Sequence, residues 1–258
     1  NDHSIVSCHM KKYTKYIILI FFILLKNYSC SYIFAQAKID SLEKERKTTQ
    51  KDTNRVKILN KLSLEYSRNN PYKALEYAQQ GLEIARKSDY RQGIAKSLGI
   101  IGIIYKNIGI YDKAIDYSLQ STKIQRELLP PTSSKDEWFK AKKGIVPSLN
   151  NLGIVYSYQR NYEKSLDYFL QSSKIVEELL ERSENHDEIN WCKQIIAGIL
   201  GNSGIIYKHQ GKYEQALDHH LQCTKIMENL SIEQGIASSW DNIGSVYLKQ
   251  GNIKKALN

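Results

Sequence analysis

Ser239-Trp240-Asp241-Asn242-Ile243-Gly244-Ser245-Val246-Tyr247 decides how this chain is read. Its pattern is W-x2-I-G-x2-Y. The same core recurs upstream as Ile101-Gly102-Ile103-Ile104-Tyr105, Leu152-Gly153-Ile154-Val155-Tyr156 and Ser203-Gly204-Ile205-Ile206-Tyr207. Leu62-Ser63-Leu64-Glu65-Tyr66 is a degenerate copy, with serine in the place of the glycine. Apolar residues three and four apart on either side of each core give a helix with one buried face. A small residue at the same point of successive helices marks a place where a second helix crosses closely. Recurrence at a fixed period is the signature of stacked helical repeats.

The tyrosine that closes each core is a ruler. Tyr66, Tyr105, Tyr156, Tyr207 and Tyr247 are separated by 39, 51, 51 and 40 residues. Downstream of each core lies a second amphipathic segment. These open as Tyr111-Asp112-Lys113-Ala114-Ile115, Tyr162-Glu163-Lys164-Ser165-Leu166 and Tyr213-Glu214-Gln215-Ala216-Leu217. Ala114, Ser165, Ala216 and Ala256 are the small residues that would meet Gly102, Gly153, Gly204 and Gly244. The two long intervals are 40 plus 11. Eleven residues make about three helical turns and return the chain to the same face, so lengthened first helices are expected in repeats three and four. Ser134-Lys135-Asp136-Glu137 and Asn185-His186-Asp187-Glu188 have the form of N-terminal caps for them. Pro130-Pro131 should stop the preceding helix, and Pro147 should kink or restart the third-repeat helix, because proline removes a backbone donor.

Residues 1–37 differ from the rest. Met10 reads as the start of translation, with residues 1–9 an upstream remnant. Lys11, Lys12 and Lys15 precede an apolar run from Tyr16 to Leu25, and Phe34-Ala35-Gln36-Ala37 supplies small residues after it. Ten residues rise only about 15 Å as a helix, half of a hydrocarbon core of about 30 Å. The pattern is that of a secretory signal peptide, so the mature chain is expected outside the cytoplasm, on the periplasmic or extracytoplasmic side. Residues 38–55 read as a short polar lead-in helix and linker that covers the open end of the stack, with Asp52 or Thr53 capping the next helix. Residues 56–258 hold about five repeats, the last incomplete, as in a fragment of a longer protein.

The formal net charge is +10, with acidic and basic residues interspersed along the helices. No basic cluster is interleaved with aromatics, so nucleic acid is not an expected partner. Cys192 and Cys223 are the cysteines beyond the leader region; in an exported protein they could pair, but Cys223 falls at a small-residue packing position, which favours two buried thiols. Gly198-Ile199-Leu200-Gly201-Asn202-Ser203-Gly204 has the glycines of a phosphate loop, but it lies inside a repeat helix and lacks the following Lys-Ser or Lys-Thr. His219 and Cys223 are one turn apart and could face a metal, yet His220 and Cys223 occupy the packing positions of Phe169 and Ser172. No catalytic triad or carboxylate pair stands out. The expectation is a non-enzymatic protein with no cofactor and no metal site.

The repeats resemble the tetratricopeptide repeat (TPR) superfamily over residues 56–258. The usual period of that superfamily is 34 residues. The longer period is similar to the subclass found in kinesin light chains and bacterial peptide-sensing regulators. The whole layout resembles the extracytoplasmic sensor half of bacterial membrane signalling proteins such as histidine kinases. The resemblance implies an all-α fold, a right-handed superhelix of antiparallel helix pairs, and a groove that takes a protein or peptide. Membrane association would come only through a missing C-terminal part or an uncleaved leader. A free-standing envelope scaffold and a cytosolic adaptor are the alternatives. By resemblance, Asn151, Asn202 and Asn242 would contact a bound peptide backbone, since an amide both donates and accepts. Asn60, Arg68, Lys106, Lys208 and Lys249 complete the groove read from the sequence, the cations favouring an acidic ligand.

Overall fold

The computed structural model describes residues 36–129 and 135–256. Residues 1–35 of the leader, Pro130-Pro131 and Ser134 of the first cap lie outside these residues, while Gln36 and Ala37 fall in the first helix. Helix α1 covers residues 36–48. It is followed by α2 (Asp52–Tyr66), α3 (Pro71–Lys87), α4 (Arg91–Asn107), α5 (Tyr111–Glu127), α6 (Lys135–Tyr158), α7 (Tyr162–Arg182), α8 (His186–His209), α9 (Tyr213–Asn229), α10 (Glu233–Lys249) and α11 (Ile253–Ala256). No strand occurs among the described residues, and none of their helices is long and apolar enough to cross a membrane.

Helices α2 to α11 pair within repeats: α2 with α3, α4 with α5, α6 with α7, α8 with α9, α10 with α11. Each second helix also packs on the next first helix. The first helices touch one another from repeat to repeat, α2 on α4, α4 on α6, α6 on α8 and α8 on α10. The second helices stand further apart and meet through long side chains, as where Arg126 of α5 donates to Gln171 Oε1 of α7 at 2.9 Å. The first helices are thus the closely spaced inner layer and the second helices the splayed outer layer, which makes the inner face concave. This is an α-solenoid.

The close crossings are where the repeat glycines put them. A Cβ on Gly102 would stand 2.6 Å from Ser118 Oγ, on Gly153 2.6 Å from the Phe169 ring, and on Gly204 2.7 Å from the His220 ring. Opposite them Ala114, Ser165 and Ala216 are fully buried. Two serines tie the crossings. Ser165 Oγ donates to the Gly153 carbonyl at 2.6 Å, and in the first repeat Ser63 Oγ donates to the Ala74 carbonyl at 2.7 Å. Beside each crossing the ruler tyrosine meets a ring on the second helix: Tyr66 with Tyr77, Tyr105 with Tyr117, Tyr156 with Tyr168, and Tyr207 with His219, at centroid distances of 5.0–5.7 Å. A lysine ammonium lies over the ruler ring in all five repeats, from Lys73, Lys113, Lys164, Lys212 and Lys255.

The turn inside each repeat explains the interval of 39. In repeats two to five a left-handed residue follows the first helix: Gly109, Arg160, Gly211 and Gly251, with φ of +81°, +58°, +75° and +75°. The next N–H then donates back to the ruler tyrosine's carbonyl, as from Ile110 to Tyr105. In the first repeat that bond comes one residue earlier, from Asn70 to Tyr66, and α3 starts five residues after the tyrosine. The first turn is one residue shorter, with no left-handed residue among those described for it.

The lengthened first helices are present. Helices α6 and α8 have 24 residues each, against 17 in α4 and α10. Their extra turns build a core of their own with α7, in which Phe139, Val146, Val176, Leu179 and Cys192 are buried. Trp138 and Trp191 border it, under Arg182 and Lys143 respectively. Pro147 does not restart α6, which runs unbroken across it. The proline is exposed, so the missing bond falls where water meets the backbone. The Asn185 side chain caps α8 by accepting from the Asp187 N–H at 2.8 Å, while Glu188 turns to Ser183 instead of closing a capping box. Lys51, not Asp52 or Thr53, is the N-cap residue of α2, and its side chain makes no cap bond. Helix α1 does cover the end of the stack: Ile39 and Leu42 are buried against Ile58, Leu59, Leu62 and Tyr77, and the Tyr77 phenol donates to Glu43.

Candidate functional site

The concave face is made by the residues of the first helices that no second helix covers. They recur at helical spacing. On α2 these are Lys57, Lys61 and Leu64, with Arg68 in the turn that follows. On α4 they are Lys96, Ile103 and Lys106. All are exposed or half-buried, although their neighbours toward the second helices are buried. On α6 the same rows carry Pro147, Asn150 and Ile154, and on α8 Gly198, Gly201, Ile205 and Lys208. The groove is therefore polarised, cationic over repeats one and two and nearly free of charge over repeats three and four.

The cationic half has a physical cost. Burial lowers the Lys96 ammonium below the usual lysine range, and Lys61 and Lys57 lower it further. Burial and Arg68 do the same to Lys106. Burial and Lys249 do so to Lys208, whose ammonium donates to Ser245 Oγ at 3.0 Å. Among the described residues none of these lysines is in an ion pair, whereas cations elsewhere are, as in Lys142 with Glu178 and Arg91 with Glu127. Like charges gathered without a carboxylate favour an anion that comes from outside.

The four asparagines read from the sequence do not all reach this surface. Asn60 is 1% exposed, and its Oδ1 accepts from Ser97 Oγ in the seam between α2 and α4. Asn151 is 3% exposed and donates from Nδ2 to Ser118 Oγ at 2.7 Å. Asn202 and Asn242 are half-buried at the equivalent place in repeats four and five. Asn60 stands six residues before its ruler tyrosine and the other three stand five before theirs, so Asn60 lies about 100° further round its helix, in the seam. Arg68 and Lys249 are exposed, and Lys106 and Lys208 half-buried. Lys57, Lys61 and Lys96 are groove residues the sequence reading passed over. Their signal was the pair Lys57 and Lys61, four residues apart on one face of α2, with Lys96 at the place of Lys57 in the next repeat, nine residues before the ruler tyrosine.

Cys192 and Cys223 are buried and unpaired. Cys223 Sγ accepts from Ser239 Oγ at 3.3 Å, and His220 packs against Gly204. Among the described residues no three His, Cys, Asp or Glu side chains gather as a metal ion would require.

Comparison with known proteins agrees with this geometry. Family models described as tetratricopeptide repeat match residues 95–128, 148–188 and 195–258. Protein HGV2 of Halocynthia roretzi is 27% identical over 110 residues, which are 38% of this chain and 19% of HGV2. The chain thus spans about one fifth of that relative. Among solved structures, BtubC from P. vanneervenii superposes with a TM-score of 0.63 at 18% identity, over 87% of this chain and 85% of that one. The quorum sensor NprR, in complex with its cognate peptide NprX, superposes with a TM-score of 0.61 at 16% identity, over 86% of this chain and 58% of that one. Together with the repeated glycine crossings and the two-layer stacking, these matches show that the chain belongs to the tetratricopeptide repeat family.

Proposed function

We propose that the chain is a non-enzymatic module that binds an extended, acidic segment of a protein or peptide in its concave groove. The observation that carries this reading is the gathering of Lys57, Lys61 and Lys96 on one uncovered face without a carboxylate partner among the described residues. Asn202 and Asn242, half-buried beside that face, offer amides to a peptide backbone. NprR, of similar fold, is described with a cognate peptide, which supports the class of ligand. The pattern of residues 10–37 supports export, and hence a role as the extracytoplasmic sensor or scaffold part of a longer signalling protein.

Panning a randomised twelve-residue peptide library against the immobilised chain tests the binding role. Acidic peptides should be enriched, and they should lose affinity for the Lys61→Glu, Lys96→Glu double variant. Enrichment of basic peptides, or equal affinity for the variant, would refute it. Fusion of residues 1–40 to a reporter that is active only outside the cytoplasm tests export separately.

A further inference from the structure

The ends of α2, α4 and α6 line up at one rim of the groove and enclose a cleft of about 530 Å³. Arg68 reaches it from the end of α2. Lys106 and Asn107 reach it from the end of α4, and Tyr111 and Tyr158 from the start of α5 and the end of α6. The rings of Tyr111 and Tyr158 are 5.7 Å apart and tilted by 40°, closing one side. The turn that carries the chain round the cleft contains Gly109 at φ +81°.

The chemistry of this cleft is one-sided. It holds an ammonium and a guanidinium and no carboxylate. Among the described residues neither Lys106 nor Arg68 has a hydrogen-bond or ion-pair partner. Lys106 is half-buried and sits in the field of Arg68. Two cations beside one cleft, one of them partly out of water, leave several donors unused. At the corresponding rim of repeat four the Lys208 ammonium is already used by Ser245 Oγ, so the unfilled set belongs to the first three repeats.

We infer that this cleft is an oxyanion site, which takes a carboxylate or phosphate group between Lys106 and Arg68, with the Asn107 amide and the Tyr111 phenol as further polar groups beside it. It rests on the groove reading only in that the anion would be one end of the groove's ligand. The site itself stands on the cleft. A carboxylate would be a side chain or the terminus of a bound peptide, and a phosphate would come from a phosphorylated ligand or free phosphate.

The test uses the full chain and two small probes, succinate and inorganic phosphate, each titrated against sodium chloride at constant ionic strength. The readout is the thermal midpoint together with the titration midpoint of the Lys106 ammonium followed by NMR. One probe should raise the thermal midpoint saturably and shift the Lys106 titration upward, and which probe does so assigns carboxylate or phosphate. Lys106→Met and Arg68→Met keep an aliphatic stem and should each weaken that probe by about tenfold or more. Lys225→Met, exposed on α9 and outside both the cleft and the groove, should leave it unchanged. A response no larger than that of chloride, or one that survives both cleft variants, would overturn the site. Loss of peptide binding in an Asn202→Ala, Asn242→Ala protein that still binds the probe separates the fate of the groove from the fate of the cleft.

Discussion

The imidazole of His220 lies against Gly204 so closely that a Cβ on the glycine would stand 2.7 Å from Nε2. The ring is fully buried, and neither nitrogen has a hydrogen-bond partner. Its pKa is pushed down to about 4, by burial first and then by Lys208 and His219. Above about pH 6.5 the ring is neutral in both folded and unfolded chains. As pH falls from about 6.5 toward 4, the unfolded chain takes a proton that the folded chain refuses, so stability is lost across that window. The third repeat has Phe169 at the same place, packed on Gly153 in the same way. His220→Phe should therefore fold, and between pH 7 and pH 5 it should lose about 1–2 kcal/mol less than the parent chain. Urea denaturation at the two pH values checks this. Equal losses would show that His220 does not set the acid sensitivity.

The glycines divide by what surrounds them. Gly153 faces the Phe169 ring at 2.6 Å, a rigid neighbour, so Gly153→Ala should destabilise the stack by about 1–3 kcal/mol through overpacking. Gly198 is exposed in the groove and a Cβ there meets nothing within 4 Å. A glycine inside a helix costs about 0.5–1 kcal/mol relative to alanine, so Gly198→Ala should stabilise by that amount. Opposite shifts of the melting midpoint are expected. Shifts of the same sign would mean that the crossings are not as close as described.

Arg160 stands alone among its equivalents. It holds φ +58° where repeats two, four and five have glycine. The left-handed region costs a side-chain-bearing residue roughly 1–2 kcal/mol. Arg160→Gly should raise stability by several tenths to about 1 kcal/mol, since part of the gain is offset by a more flexible unfolded chain. A lowered urea midpoint would mean that the arginine side chain contributes more than its backbone costs.

Most of the fold was legible because repetition turns weak local signals into a strong one. The glycines, the opposing alanines and serines and the ruler tyrosines appear in register several times. The 11-residue insertions could be read as helix because they return to the same face, and α6 and α8 have that length. Asn60 was misplaced although its register was legible, since it stands one residue further from its ruler tyrosine than the other three. Asn151 shares the register of Asn202 and Asn242, and what sequence could not supply was that its amide is buried on Ser118 Oγ while theirs are half-buried. The cap on α2 also escaped, because Asp52 and Thr53 are good capping residues placed one and two positions too late. Proline in α6 was misjudged because a helix tolerates it where the orphaned carbonyl can meet water. The cation row was missed because lysines on a helix are normally just a solvated face. Only their gathering across α2 and α4 gives them meaning.

The proposed ligand lies on the first helices and not on the second. Ile154 and Ile205 are half-buried on the groove floor, while Leu170 and Leu221, 52% and 49% exposed, lie on the outer layer. A photo-crosslinking amino acid placed at each of these four positions, irradiated with an acidic peptide enriched by panning, reads the surface directly. Crosslinks at residues 154 and 205 with none at 170 and 221 are the predicted result. Crosslinks at residues 170 and 221 with none at 154 and 205 would contradict it.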